Sequence, residues 1–221
     1  MGYILCLETA TTNCSVALTK DGVVVAIRED TDANYSHAER LHVFIQEVLK
    51  EANCSISLLD AIAVGKGPGS YTGLRIGVAA AKGLCYALDI PLIALPTLAL
   101  LALQVKNIEK SSLIIPMLDA RRMEVYASVY GHDHSELRET RAEILENNFY
   151  TEYLDQGSVY FIGSGVAKFS KICTHNNAKF IENAMPSARE MGQLSFAKFK
   201  QKDFENVTYF DPYYLKDFVS G

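Results

Sequence analysis

The predicted order of strands and helices limits the fold of this chain more than any other feature. In the first half, short segments rich in β-branched and apolar residues predict strands, and apolar residues at helical spacing predict helices. The predicted elements are strands at 3–8, 14–20 and 23–29, a helix at 36–52, a strand at 61–65 and a helix at 70–88. The order is therefore β-β-β-α-β-α, with a hairpin at Asp21-Gly22 between the second and third strands.

The second half predicts the same order. Strands at 113–118, 125–130 and 138–144 precede a helix at 146–154, a strand at 159–162 and a helix ending near 173. An amphipathic helix at 187–200 follows. Three meandering strands, a helix and a parallel strand form the ribonuclease-H-like unit, and two such units in tandem predict an α/β protein with the duplicated actin-like (ASKHA) fold. We predict domains at 1–105 and 106–221; many proteins of this class bind ATP, but the fold alone does not establish a function.

Composition excludes several classes of protein. The 21 basic and 26 acidic residues give a net charge of −5, and neither half is basic, so a protein that grips nucleic acid alone is disfavoured. The five cysteines are odd in number and form no C-x-x-C, which argues against a disulfide framework and against zinc. The uncharged run 90–105 is too short to span a bilayer. We expect a cytoplasmic protein that binds no membrane.

A glycine-rich segment, G-K-G-P-G-S-Y-T-G-L-R-I-G, occupies residues 65–77. Ser70 is the predicted N-cap of the helix that follows, with Glu39 and Ser36 forming a capping box on the earlier helix. Free N–H groups at a helix start favour anions, so Gly67, Gly69 and Ser70 form a candidate anion site. The segment is neither a Walker A loop nor a dinucleotide fingerprint. An ordinary strand-to-helix turn is the alternative.

The helix after this loop carries small residues four apart, at Gly73, Gly77, Ala81 and Cys85. Glycine inside a helix costs about 0.5–1 kcal/mol relative to alanine, so two glycines indicate close packing. Such a row lets a second backbone approach, either from a partner or from the chain itself. If the row faces a partner, Gly77→Leu blocks pairing and leaves the monomer folded.

Other polar residues give weaker indications. Glu8 ends the first strand where actin-like ATPases normally have Asp and a glycine turn, so a Mg-nucleotide site is disfavoured. Asp119 ends the matching strand of the second half and is followed by Arg121 and Arg122, which either bind an anion or form surface ion pairs. His37 and His42 lie about 140° apart around a helix and cannot share a metal ion.

Four segments together resemble the TsaB (YeaZ) family, whose members are needed to make threonylcarbamoyladenosine in tRNA. They are I-L-C-L-E-T-A-T-T-N-C-S-V-A-L at 4–18, S-H-A-E-R-L at 36–41, the glycine-rich segment at 65–77, and L-D-A-R-R-M-E-V-Y-A at 118–127. The tail P-Y-Y-L-K-D at 212–217 is also similar. Glu8 departs from the Asp of many relatives.

The resemblance implies a non-catalytic subunit with no activity alone and no cofactor of its own. It implies heterodimers with the catalytic subunit TsaD, homodimers when alone, association with the ATPase TsaE, indirect contact with tRNA, and ATP or ADP only in the complex. The implied contact surface lies on the first two helices, at His37, Arg40, Leu41, Phe44, Tyr71, Gly73, Leu74, Arg75, Gly77 and Ala81. The alternatives are an ATP-dependent phosphotransferase of the sugar-kinase class and a metalloprotease, which the positions of the two histidines disfavour.

Overall fold

The computed structural model describes residues 2–31 and 37–216 of the chain, which fall into two compact units. The first unit contains residues 1–100 and 186–221, and the second contains residues 101–185. Ser36, the predicted cap of the first helix, and the end of the 212–217 segment lie outside the described residues.

The first unit is built on one five-stranded sheet. Its strands are β1 (Tyr3–Glu8), β2 (Cys14–Lys20), β3 (Val23–Asp30), β4 (Ala61–Gly67) and β5 (Leu92–Pro96). They lie in the order β3-β2-β1-β4-β5. Strand β2 is antiparallel to both of its neighbours, β1 and β3, whereas β4 and β5 run parallel to β1. The β2–β3 hairpin turns at Asp21 and Gly22, both with positive φ as predicted.

Helices cover both faces of this sheet. The helices of the first unit are α1 (His37–Glu51), α2 (Tyr71–Leu88), α3 (Thr97–Ala102, whose last two residues belong to the second unit) and α6 (Met191–Gln201). One core packs α1 and α2 against one face, around residues such as Leu7 and Val64. A second core packs α6 against the opposite face, around Ile4 and Ile93.

The second unit repeats this plan. Its elements are β6 (Leu113–Asp119), β7 (Glu124–Gly131), β8 (Glu136–Ile144), α4 (Thr151–Leu154), β9 (Val159–Gly163), α5 (Val166–Phe169) and β10 (Ala178–Glu182). The strand order, β10-β9-β6-β7-β8, is that of the first sheet. Two sheets with one topology confirm the predicted duplicated actin-like fold. Each unit also has a fifth strand, β5 or β10, that the sequence did not predict.

The domain division differs from the predicted one. The predicted second domain, 106–221, extends too far, because residues 186–221 belong to the first unit. Met191 of α6 is fully buried in the core that covers the first sheet, with Phe196 and Phe199 packed beside it. The apolar face of α6 therefore holds the C-terminal part of the chain on the first sheet.

Candidate functional site

The glycine-rich segment packs against the turn that follows β1, so closely that side chains would not fit at its glycines. A Cβ atom at Gly73 would overlap the carbonyl oxygen of Thr9, and one at Gly77 would overlap the Thr9 hydroxyl. In the same way, a Cβ at Gly69 would overlap the Ala10 carbonyl, and one at Gly65 would overlap the Glu8 carboxylate. Four glycines spaced four residues apart therefore line a groove for the chain's own Glu8–Ala10 segment.

Hydrogen bonds hold this turn against the start of α2. The Ser70 N–H donates to the Ala10 carbonyl at 2.7 Å, and the Thr9 hydroxyl donates to the Gly73 carbonyl at 2.8 Å. Ser70 is the N-cap, as predicted, and its hydroxyl accepts from the Gly73 N–H at 3.3 Å. The Gly67 N–H donates to the Thr97 hydroxyl at 3.2 Å. At Gly67 and Ser70, two of the three positions of the candidate anion site, the donor is thus already used within the chain.

The row Gly73–Gly77–Ala81 consequently faces inward. All three residues are buried in the first unit, as are four more of the predicted contact residues. Those four are His37, Leu41, Phe44 and Leu74. The expected effect of Gly77→Leu is wrong for the same reason: a side chain there would collide with Thr9 and disturb the monomer.

The three remaining predicted contact residues reach the surface. Arg40 is exposed and forms an ion pair with Asp30 at 3.3 Å. Arg75 is exposed, donates to the Tyr71 hydroxyl at 2.9 Å and lies over the Tyr71 ring. Tyr71 in turn packs on Tyr214, with ring centroids 5.0 Å apart. Tyr71, Arg75 and Tyr214 thus form a cluster at the start of α2.

A different row of α2 faces outward, and sequence reasoning did not single it out. Its exposed members are Thr72, Arg75, Ala79, Gly83, Tyr86 and Ala87. A Cβ at Gly83 would meet nothing within 4 Å, and Tyr86 is 87% exposed. Ala79, Gly83 and Ala87 are also four residues apart, so the helix carries two rows of small residues, of which the sequence drew attention to the inner one. We call Thr72, Ala79, Gly83 and Tyr86 the outer face of α2.

Helix α1 lies beside α2 on the same face of the sheet and presents its own exposed residues. The side chain of Val43 is 46% exposed, and His42 is exposed as well. His37, in contrast, is buried, and its Nε2 lies 2.7 Å from the Thr11 carbonyl oxygen. The two histidines therefore lie in different environments. Among residues 2–31 and 37–216, no group of three or more potential metal-ligating side chains occurs.

The Glu8 carboxyl is buried at the end of β1. It accepts a hydrogen bond from the Ala10 N–H at 2.7 Å and lies against Gly65 of β4. Burial raises the pKa of this carboxyl from its ordinary value of 4.5 to about 7, and the hydrogen bonds from Ala10, Thr9 and Thr97 offset only part of that increase. Glu8 is thus enclosed by the chain, and near neutral pH its carboxyl is partly protonated and partly ionised.

In the second unit, Asp119 ends β6, as predicted. Its carboxylate forms an ion pair with Lys168 at 2.8 Å and accepts from the Arg121 N–H at 2.6 Å. The side chains of Arg121 and Arg122 are exposed. In the described part of the chain, neither side chain forms an ion pair or a hydrogen bond, so the predicted alternative of surface ion pairs does not apply.

The matching family model and two similar proteins both concern threonylcarbamoyladenosine in tRNA. Residues 29–218 match the family model described as TsaD, tRNA N6-adenosine threonylcarbamoyltransferase. The chain is 30% identical to the tRNA threonylcarbamoyladenosine biosynthesis protein TsaB of Haemophilus influenzae, over 98% of this chain and 94% of that protein. It is also 30% identical to TsaB of Escherichia coli, over 98% of this chain and 96% of the relative.

Among solved structures, YeaZ from Pseudomonas aeruginosa superposes with a TM-score of 0.83 at 27% identity, covering 97% of this chain and 100% of that one. In the part of the chain that the structure describes, no helix is both long and apolar enough to cross a membrane.

Proposed function

Because this chain belongs to the TsaB family of tRNA threonylcarbamoyladenosine biosynthesis proteins, we propose that it is a non-catalytic subunit of the machinery that makes this modified nucleoside. Its role is to pair with the catalytic transferase, TsaD, in the cytoplasm. The match of residues 29–218 to the transferase model supports a partner built on the same fold. Two similar folds can pair through matching helices, which makes α1 and α2 the natural contact elements.

The observation that carries this proposal is the outer face of α2. Gly83 lies inside an 18-residue helix, and within residues 2–31 and 37–216 nothing comes within 4 Å of the position that its Cβ would take. A glycine that destabilises its helix and serves no internal contact indicates a contact with another molecule. Ala79 lies one turn away and leaves the surface flat, while Tyr86 supplies the kind of exposed aromatic side chain that is enriched at interface hot spots.

Three features support a role without catalysis. The Glu8 side chain, at the end of β1, is fully buried against Gly65, so its carboxylate has no access to a substrate. The Ser70 N–H, which an anion at the start of α2 would need, is bonded to Ala10. The glycines of the 65–77 segment, which suggest a phosphate loop, contact the chain itself. These contacts disfavour the phosphotransferase alternative, and calorimetry with Mg-ATP on the isolated chain checks this directly: tight binding would contradict the proposal.

The remaining partners follow from the family. We propose that the isolated chain forms homodimers through the same helices, that TsaE joins the heterodimer, and that ATP or ADP and tRNA are bound by the complex. A surface used for both pairings makes the homodimer and the heterodimer mutually exclusive. Adding TsaD should therefore convert homodimers of this chain into heterodimers.

Two variants test the docking surface, with a matched control. Ala79→Leu and Gly83→Leu each place a large side chain on the outer face. Ala197→Leu repeats the first of these changes at an exposed alanine of α6 in the same unit. We expect the α2 variants to fold, to weaken pairing with TsaD by roughly tenfold or more, and to lower modification of tRNA in a reconstituted assay. Ala197→Leu should match the wild type. Light scattering after size exclusion measures the pairing.

Two results would count against the proposal. If Ala79→Leu and Gly83→Leu pair normally with TsaD while remaining folded by circular dichroism, the outer face is not the docking surface. If the reconstituted assay makes threonylcarbamoyladenosine equally well without this chain, the subunit role itself is wrong.

A further inference from the structure

The loop between β6 and β7 in the second unit presents two arginines with a fixed backbone and free side chains. Arg121 and Arg122 both have positive φ, at 69° and 48°, which is rare for residues other than glycine. Both side chains are exposed, and the neighbouring Met123 is 40% exposed. The loop follows the end of β6 and joins it to the neighbouring antiparallel strand β7.

Backbone hydrogen bonds on each side hold the loop in place. The Ala120 N–H donates to the Glu124 carbonyl at 3.0 Å, and the Glu124 N–H donates to the Arg121 carbonyl at 3.1 Å. The Arg121 N–H donates to the Asp119 carboxylate, and the Leu145 N–H donates to the Met123 carbonyl at 2.8 Å. Because the backbone is fixed before any ligand arrives, only the side-chain freedom of the arginines is lost on binding.

Charge distinguishes these arginines from the lysine beside them. Lys168 is largely buried, and its charge is balanced by Asp119 at 2.8 Å. It also donates to the Glu124 carbonyl at 3.2 Å. Neither Arg121 nor Arg122 has a side-chain partner in the described part of the chain, so the positive charge that the loop presents to solvent is theirs.

We propose that Arg121 and Arg122 bind phosphate groups of the RNA backbone when the complex engages tRNA. Guanidinium groups form bidentate hydrogen bonds with phosphate oxygens and remain charged at any physiological pH. This inference rests on the proposed function, since tRNA is the RNA that the complex handles. The contact is local: with a net charge of −5, the chain depends on the rest of the complex for most of its affinity.

The geometry favours an RNA backbone over a free nucleotide as the source of the phosphate. An enclosed phosphate site uses several converging backbone N–H groups. Here the Ala120 and Arg121 N–H groups are bonded within the loop, so most of the donors that the loop offers to a ligand belong to the two guanidinium groups. Exposed arginines on a projecting loop suit a contact with an extended, charged backbone.

Titration of labelled tRNA tests this inference. The double variant Arg121→Ala/Arg122→Ala is compared with Arg141→Ala/Lys171→Ala, which removes the same charge from exposed positions of the same unit. The probe is an unmodified transcript with the sequence of a tRNA that receives threonylcarbamoyladenosine in the cell. It is added to the complex with TsaD, and binding is followed by fluorescence anisotropy at several KCl concentrations. We expect the first variant to bind roughly fivefold to tenfold more weakly at low salt, with a log K against log[salt] slope smaller by about 1–2. The control should match the wild type.

Four outcomes would overturn the inference. If Arg121→Ala/Arg122→Ala keeps the affinity and slope of the wild type, the arginines do not contact RNA. If both double variants lose affinity equally, the effect is one of net charge alone. Loss of pairing with TsaD by Arg121→Ala/Arg122→Ala would make the loop a protein contact. If inorganic phosphate or ADP at millimolar concentration abolishes the difference between the variants, the site takes free phosphates instead. Should the wild-type chain fail to pair with TsaD, the proposed function fails, and the same titration on the isolated chain still compares the two double variants.

Discussion

The inner and outer faces of α2 carry similar small residues for different reasons. On the inner face, Gly73 and Gly77 contact Thr9 so closely that no side chain fits. On the outer face, a Cβ at Gly83 would meet no atom within 4 Å among the residues that the structure describes. The inner glycines are required by the fold of the monomer. The outer glycine has no such requirement and is the one that a partner can explain.

This difference shows that a glycine row in a helix does not by itself identify an interface. The Gly73–Gly77 pair has the spacing of a helix-pairing motif, yet it faces a turn of the same chain. What separates the two faces is the atom that an added Cβ would meet. Substitutions that add this single carbon therefore test the distinction most directly.

The largest effect is expected at the inner face. Gly73→Ala places a methyl group on the Thr9 carbonyl oxygen, a backbone atom that cannot move without displacing the turn after β1. Overpacking of this kind should destabilise the chain by about 3 kcal/mol or more, even though alanine favours the helix. Urea denaturation measures the free energy of unfolding. A stability equal to that of the wild type would show that the turn does not depend on the groove.

A second test uses the carboxyl that lies in this groove. The folded-state pKa of Glu8, about 7, is above its ordinary value of 4.5, so its contribution to stability is complete below pH 4.5 and is lost as the pH rises through 7. At about 1.4 kcal/mol per pKa unit, the loss is roughly 3 kcal/mol. Glu8→Gln keeps the size and removes the titration.

Unfolding free energies of both proteins between pH 4.5 and pH 8 measure this effect. The difference between Glu8→Gln and the wild type should grow with pH in favour of the variant. A constant difference across this range would mean that Glu8 is not buried as described.

Much of the fold could be predicted from the sequence, because alternating and helical apolar patterns are local. The strands at Tyr3–Glu8 and Cys14–Lys20 have the predicted bounds. Strand β5 was missed because Leu92–Pro96 lies in an uncharged run that continues directly into α3. Strand β10, Ala178–Glu182, is a short edge strand with charged residues. The return of α6 to the first sheet depends on long-range packing that no local pattern encodes.

The site was harder to predict for a related reason. The sequence indicates that α2 is apolar on several sides, and it correctly places the N-cap at Ser70. It does not reveal which row of small residues packs against the rest of the chain, because both rows have the same spacing. The Glu8–Ala10 turn that decides this lies more than 60 residues away from Gly73 in the chain. Only the tertiary contact distinguishes the two faces.

A smaller effect is expected at the cap that fixes the start of the inner row. Ser70→Ala removes the hydroxyl that accepts from the Gly73 N–H, and loss of such a cap costs about 1 kcal/mol. Ser70→Asp retains an acceptor at the same place and should keep most of the stability. Urea denaturation of the two variants measures this, and equal losses would show that the side-chain acceptor contributes nothing.

The smallest effect is expected at the outer face, with the opposite sign from Gly73→Ala. Gly83→Ala adds a methyl group in open space and removes the conformational freedom of a mid-helix glycine, so the isolated chain should gain about 0.5–1 kcal/mol. Urea denaturation measures the gain, at a protein concentration low enough to keep the chain monomeric. A loss of stability in the monomer would mean that Gly83 is required by the fold, like the inner glycines, and the contrast between the two faces would disappear.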